Sequence, residues 1–435
     1  MAVDENSDAP TAARTRLPRE IWVLVGAAFV IAIGFGLVAP ALPAFARSFD
    51  VGVTAASFVI SLFAVFRLGF APISGRLVAR FGELRIYVVG LCISALSSGA
   101  CAFAADYWQL LFFRAFGGIG STMFTVSAIS LLVRLAPPQA RGRASGMWAT
   151  GFLLGNIAGP MLGGVLVTIS LRAPFFVYTV ALVVALVLSG LMLRGRTGGS
   201  PANDPDAAPA ASFRVAWRHP AFRAALAASF ANGWTVFGVR VALVPLFVVE
   251  ALRQREDWAG YALAVFAVGN AAALMVSGRL ADRHGRRPPV MAGLVVTAVG
   301  TGVLGLIGSL PLFLVVSMVC GAGSGLVNPP MTAVVADVIG SKARGGPVLA
   351  GFQMAADVGA ILGPVLAGAV AEVSGFAAAF VLTGAVSALA LLFWLRAPET
   401  LPGRSSAAVD ASAAAAVSDG LTVPRPQGRD TGPSS

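Results

Sequence analysis

Gly75-Arg-Leu-Val-Ala-Arg-Phe-Gly82 recurs as Gly278-Arg-Leu-Ala-Asp-Arg-His-Gly285, five of eight residues identical, each copy after a long apolar run. Two further pairs keep nearly the same spacing: Ala140-Arg141-Gly142 with Ala343-Arg344-Gly345, and Gly159-Pro160 with Gly363-Pro364. A repeat that spans most of a chain means a duplicated architecture. Duplication of long apolar segments is the pattern from which secondary transporters are built.

Of 435 residues, 57% are hydrophobic and 12% charged, too little polar surface to cover a soluble core. Crossing a bilayer as helix takes about 20 apolar residues. Twelve stretches qualify: 21–45, 55–74, 86–104, 108–133, 145–169, 174–193, 221–249, 258–277, 290–308, 311–336, 348–371 and 376–395. Strand-barrel alternation is absent, so the backbone satisfies itself as helix. The expected fold is an all-α membrane protein with twelve transmembrane helices in two six-helix bundles.

The net charge of +11 suggests nucleic acid until the charges are placed along the chain. With both termini in the cytoplasm, 24 Arg and Lys fall on the cytoplasmic side, four outside (Arg47, Arg172, Arg253, Arg255) and three within spans. This is the positive-inside asymmetry, and no basic stripe interleaves with aromatics on a soluble face. The partners expected are a small-molecule substrate, protons and lipid, with no nucleic acid, for a monomer. Cys92, Cys101 and Cys320 lie inside apolar spans and read as small core residues. Thirty Arg against the single Lys342, with abundant Ala and Gly, suits a bacterial chain, hence the cytoplasmic membrane.

Residues 1–20 and 397–435 have nothing to bury and are expected to be disordered cytoplasmic tails. Residues 194–220, rich in Gly, Pro, Asp and Ala, are expected to be a cytoplasmic linker between bundles at 21–193 and 221–396. Both copies of the repeated loop fall on one side, so the halves run parallel, related by an axis along the membrane normal.

The segments from Gly75 to Arg85 and from Gly278 to Arg287 resemble the loop signature of the major facilitator superfamily, and the resemblance covers about residues 20–396. Gly75, Arg76, Arg80, Gly82, Gly278, Asp282, Arg283, Gly285, Arg286 and Arg287 are then the implied gating-loop residues. The second copy matches fully. In the first, Ala79 replaces an aspartate and Glu83 a basic residue. Physically, Asp282 among Arg279, Arg283, Arg286 and Arg287 can form an ion-pair cluster that opens as helices slide, or the arginines can simply anchor topology.

Gly146, Gly155, Gly159, Pro160, Gly163 and Gly164 look like the fifth-helix signature of the superfamily's drug:proton antiporters. Gly151, Gly155, Gly159 and Gly163 recur every four residues and clear one helical face for close approach. A plain packing face accounts for that spacing as well, and Gly351, Ala355, Gly359, Gly363 and Ala367 make a similar ladder. The glycines around Gly117 and Gly323 mimic a dinucleotide-binding loop, but they lie inside apolar helical runs with no strand before them.

Charges inside the spans are candidate functional residues by default. Arg114 resembles the superfamily's fourth-helix arginine, for which the resemblance implies a proton relay. Of twenty Asp and Glu, only Asp357 lies well inside a span, and Arg240 should reach a similar depth. The two are expected to share a cavity in the second half, with Asp357 carrying the proton; a static neutralising pair is the other reading. Arg67 lies nearer the cytoplasmic end, where it can act or snorkel. Phe35, Trp148, Trp234 and Phe237 are candidates for an aromatic cavity wall.

The reading that follows is a transporter that exports a small lipophilic molecule by alternating access, driven by the proton gradient, with no metal or other cofactor. A proton symporter importing a sugar or organic acid shares the fold. An enzyme is disfavoured because His219 and His284, the only histidines, lie in loops.

Overall fold

Apolar runs of this length close their own backbone hydrogen bonds, and each becomes a long helix. The computed structural model describes residues 18–136, 141–192, 212–339 and 346–401. The first half contains α1 (Arg19–Arg47), α2 (Val53–Phe81), α3 (Glu83–Ala102), α4 (Tyr107–Leu135), α5 (Arg141–Ile169) and α6 (Ala173–Met192). The second contains α7 (Pro220–Ala251), α8 (Asp257–His284), α9 (Arg287–Leu304) and α10 (Leu310–Ile339). Two further helices, α11 (346–374) and α12 (376–395), meet at Gly375, whose φ of 83° breaks the run. The expected twelve helices are therefore present.

The repeated octapeptide ends α2 and α8, and its last residue explains why glycine recurs there. Gly82 has φ 84° and Gly285 has φ 101°, a backbone region closed to most side chains. Each is the sharp exit from one helix into the next.

Within each half the same packing recurs. The α5 ladder lies against α1, where a Cβ on Gly155 would meet Phe29 O at 2.7 Å and one on Gly163 would meet Leu37 O at 2.4 Å. In the second half α11 lies against α7: a Cβ on Gly359 would meet Phe230 O at 2.1 Å. Small residues let these backbones approach within side-chain range. Outside, Leu96, Val180, Met275, Val299 and Leu392 are exposed, an apolar perimeter that lipid must cover.

The halves join across α1–α7, α2–α11 and α5–α8. Arg47 Nε donates to Glu250 at 3.0 Å, Thr54 N to Glu372 at 2.9 Å, and Ser61 Oγ to Ile361 O at 2.6 Å. A Cβ on Gly164 would lie 3.0 Å from Gly260 Cα, so α5 and α8 touch backbone to backbone.

Two expected boundaries move. Phe213–Arg218, inside the expected linker 194–220, is a short helix with Ala216 buried, because Phe213 has an edge contact to Phe222 at 5.8 Å. The expected tail 397–435 begins docked: Ala397 is buried and Glu399 caps the α8–α9 turn. Residues 1–17, 193–211 and 402–435, which hold most of the expected tails and linker, lie outside the described residues, as do residue 140 and residues 343–345 of the second repeated pair.

Candidate functional site

A cavity of about 580 Å³ lies between the halves. It runs from Pro160 at the middle of α5 toward Gly146, near the helix start, and so toward the end that carries the repeated loops. Its walls are aromatic: Phe35 from α1, Trp148 and Phe152 from α5, Phe237 from α7 and Phe266 from α8. Trp148 and Phe152 stack at 5.6 Å with 15° between ring planes. Of the aromatics named from the sequence, Phe35, Trp148 and Phe237 line this cavity.

Trp234 does not. It is 4% exposed, packed beneath Gly359 and Gly363, with its indole N–H 3.4 Å from Thr383 Oγ1. On α7 it points away from Phe237, into the seam with α11 and α12.

Polar groups in this cavity are few. Asn156, Asn232, Asn270 and Asn328 contribute amides. Asn232 accepts from Ser324 at 3.0 Å and Asn328 donates to Ser324 O at 3.2 Å. Sequence reading missed these four, although an amide inside an apolar span is itself a signal, being costly without a partner.

Arg240 lines the same cavity. It is 4% exposed, its guanidinium lies 3.7 Å over the Phe266 ring, and Nε and Nη1 have no hydrogen-bond partner among the described residues. Two π-helical turns flank its position, over Gly233–Val239 and Phe247–Ala251. Such turns recur at functional sites, where they re-aim side chains.

The expectation that Asp357 and Arg240 share a cavity is corrected. Asp357 lines a second, smaller cavity of about 100 Å³, together with Arg67, Arg114 and Gln353. The reason is helix rotation: Asp357 on α11 faces α2 and so meets Arg67, the cation that acts on it, whereas Arg240 faces α8. Arg67 therefore faces the interior. Arg114 is 7% exposed and stacks 4.3 Å over Phe63. The two cavities share Phe35, Ala39, Phe237 and Val241 as a common wall.

The antiporter-signature residues divide by role. Gly155, Gly159 and Gly163 pack on α1, Gly164 on α8, and Pro160 both lines the cavity and abuts Gly260. Gly146 has nothing within 4 Å of its would-be Cβ and opens onto the cavity.

At the second repeated loop, Arg286 donates to Asp282 one turn earlier and lies 3.5 Å from Asp337 on α10. Partial burial works against its charge, but Asp282 and Asp337 outweigh that and hold the guanidinium above its ordinary range. Glu399 accepts from the backbone N–H of Arg286 at 2.8 Å and of Arg287 at 3.1 Å. Arg287 binds the end of α12 through Trp394 O at 3.1 Å. Arg76, Arg80 and Arg283 are exposed, Arg80 lying over Phe81. Gly75 and Gly278 have open space where a side chain would go, so nothing in the packing explains their recurrence.

Comparison with known proteins decides the family. The family model described as Major Facilitator Superfamily matches residues 24–255 and again 225–426. The chain belongs to the Major Facilitator Superfamily. Within it, the chain resembles proteins named for drug resistance. A class H tetracycline resistance protein of Pasteurella multocida is 27% identical over 358 residues, 77% of this chain and 84% of that protein. A class C tetracycline resistance protein of Escherichia coli is 30% identical over 284 residues, 64% of this chain and 71% of that protein. Among solved structures, a bacterial homolog to the human lysosomal transporter Spinster, inward-facing and unoccupied, superposes with a TM-score of 0.70 at 16% identity, over 86% of this chain and 95% of that one. That likeness is one of fold. As a superfamily member, the chain is a multi-pass membrane transporter of small molecules and not an enzyme.

Proposed function

We propose that this chain exports small lipophilic molecules from the bacterial cytoplasm in exchange for protons, by alternating access. The observation that carries the reading is the aromatic cavity between the halves: bonded shut at the Arg47–Glu250 and Thr54–Glu372 end, it extends toward the repeated loops. An apolar cavity of this size with a few polar groups suits a drug-sized molecule. The relatives' drug-resistance names support export.

In this reading both termini and the repeated loops face the cytoplasm, following the arginine asymmetry. Asp357 is the proton carrier, and Arg67 and Arg114 in the same small cavity set its affinity for the proton. No cofactor is needed: a proton moving inward through 100 mV yields ~2.3 kcal/mol. One chain contains both halves and the whole pathway, so a monomer suffices.

Two measurements test this. Expression in a drug-sensitive host should raise tolerance to some lipophilic toxins, and a protonophore should abolish the gain. Asp357→Asn should then lose substrate-driven proton flux while still binding substrate; undiminished flux would remove Asp357 from the mechanism.

A further inference from the structure

Among the described residues, four charged side chains line the two adjoining cavities: Arg67, Arg114 and Arg240 against Asp357 alone. Asp357 has Arg67 beside it. Arg240, in the larger cavity, has no carboxylate among the described lining residues and leaves Nε and Nη1 unpartnered at 4% exposure. A buried cation left this way is costly and stays only where something completes it. Phe266 presents a ring face and Cys320 a sulfur to the guanidinium, but neither satisfies the Nε and Nη1 donors in the manner of an oxygen.

We propose that the substrate is a lipophilic organic anion, whose carboxylate or enolate seats on Arg240 and whose hydrocarbon body lies against Trp148, Phe152 and Phe237. The proposal rests on the export reading above and adds the substrate class to it. The guanidinium fork matches two acceptor oxygens in one plane, which a neutral or cationic molecule does not supply. Around it, Asn232 and Asn328 add neutral amides suited to further oxygens of the same molecule. A bare inorganic anion meets the arginine but leaves the aromatic wall unused, and it gives up its hydration to enter. A lipophilic cation meets the wall and is repelled by the excess of arginine.

The test uses three probes with one hydrocarbon body and three charges: pyrenebutyrate, pyrenebutanol and pyrenebutylamine, titrated by fluorescence onto the purified full chain. The anion should bind about ten-fold tighter than either of the others, the gain of a charge-assisted bidentate contact. Acetate, the head group alone, should compete poorly. Arg240→Gln should remove the preference for the anion and Arg240→Lys should keep part of it. Equal or tighter binding of the alcohol or amine, or an anion preference that survives Arg240→Gln, overturns the proposal. The ranking on the unmodified chain decides even where Arg240→Gln does not fold. Uptake of each probe into inverted vesicles under a proton gradient is read separately. Anion binding without any uptake strikes the export reading and leaves the anion site standing; uptake of the amine alone does the reverse.

Discussion

Glu83 and Arg134 form an ion pair at 3.0 Å between the start of α3 and the end of α4. Their counterparts 203 residues later are Arg286 and Asp337, at 3.5 Å between the start of α9 and the end of α10. The duplication has kept the position of the pair and exchanged the signs. Coulomb attraction is unchanged when both charges are reversed, so each half retains a tie between the same two helices. The first loop, which lacks an aspartate at Ala79, is thus not without a charge contact. It has a different one.

Exchange of the pair should be tolerated where single inversions are not. Glu83→Arg sets two arginines against each other, and Arg134→Glu two carboxylates. The double variant should recover most of the lost thermal stability and efflux, with a coupling energy on the order of 1 kcal/mol. Strictly additive losses in the double-mutant cycle would mean the pair does not act as one.

Glycine-to-alanine changes along α5 should have opposite signs. At Gly159 the new Cβ meets Ile33 O at 2.5 Å and Gly36 Cα at 2.7 Å, both backbone, so α1 and α5 must separate. A loss of about 1–3 kcal/mol is expected, the usual cost of overpacking. At Gly146 nothing lies within 4 Å, and the lower helix cost of alanine should stabilise by roughly 0.5–1 kcal/mol. Melting of the two purified variants checks both.

The bonded end must open if transport alternates. Cysteines at Thr54 and Glu372, whose backbone N and carboxylate are 2.9 Å apart, placed in a variant without the native Cys92, Cys101 and Cys320, should be joined by a short bifunctional thiol reagent. Joined chains should bind substrate and fail to transport it, while either single cysteine should work after the same treatment. Full transport by the joined chain would refute movement at this end.

Glu399 makes the docked tail pH-dependent. Burial pushes its carboxyl up, but the backbone amides of Arg286, Arg287, Leu401 and Thr400 outweigh that and hold it below the ordinary 4.5. A depressed folded-state value means that the stabilisation is complete above the ordinary value and is lost as pH falls through the folded one. Hydrogen exchange at Arg286 and Arg287, taken relative to the intrinsic amide rate at each pH, should therefore stay slow at neutral pH and speed up only in acid. In Glu399→Gln it should be faster already at neutral pH.

Much of the fold was legible because apolar run length and arginine placement report directly on a bilayer. Gly82 and Gly285 were legible as repeated positions, and the left-handed turn is why they repeat. Asp357, Arg114 and Arg240 stood out because a charge inside a span is costly. Trp234 was misplaced because an aromatic on an apolar helix carries no mark of which way it faces. The Arg134 partner of Glu83 was within reach of the 203-residue offset, though only a coordinate shows that the charges touch.

Sequence alone determined the solvent, the twelve crossings, the duplication and the residues whose charge needs a reason. These follow from composition and from spacing along one chain. The tertiary structure decided which of those residues meet: Asp357 with Arg67 across the two halves, Arg240 with Phe266 in the larger cavity, and the α5 glycines with α1. Each residue turns a helix by about 100°, so a shift of one or two positions in helix rotation changes the neighbour entirely. Apolar spans carry too little polar patterning to set that rotation before the helices pack.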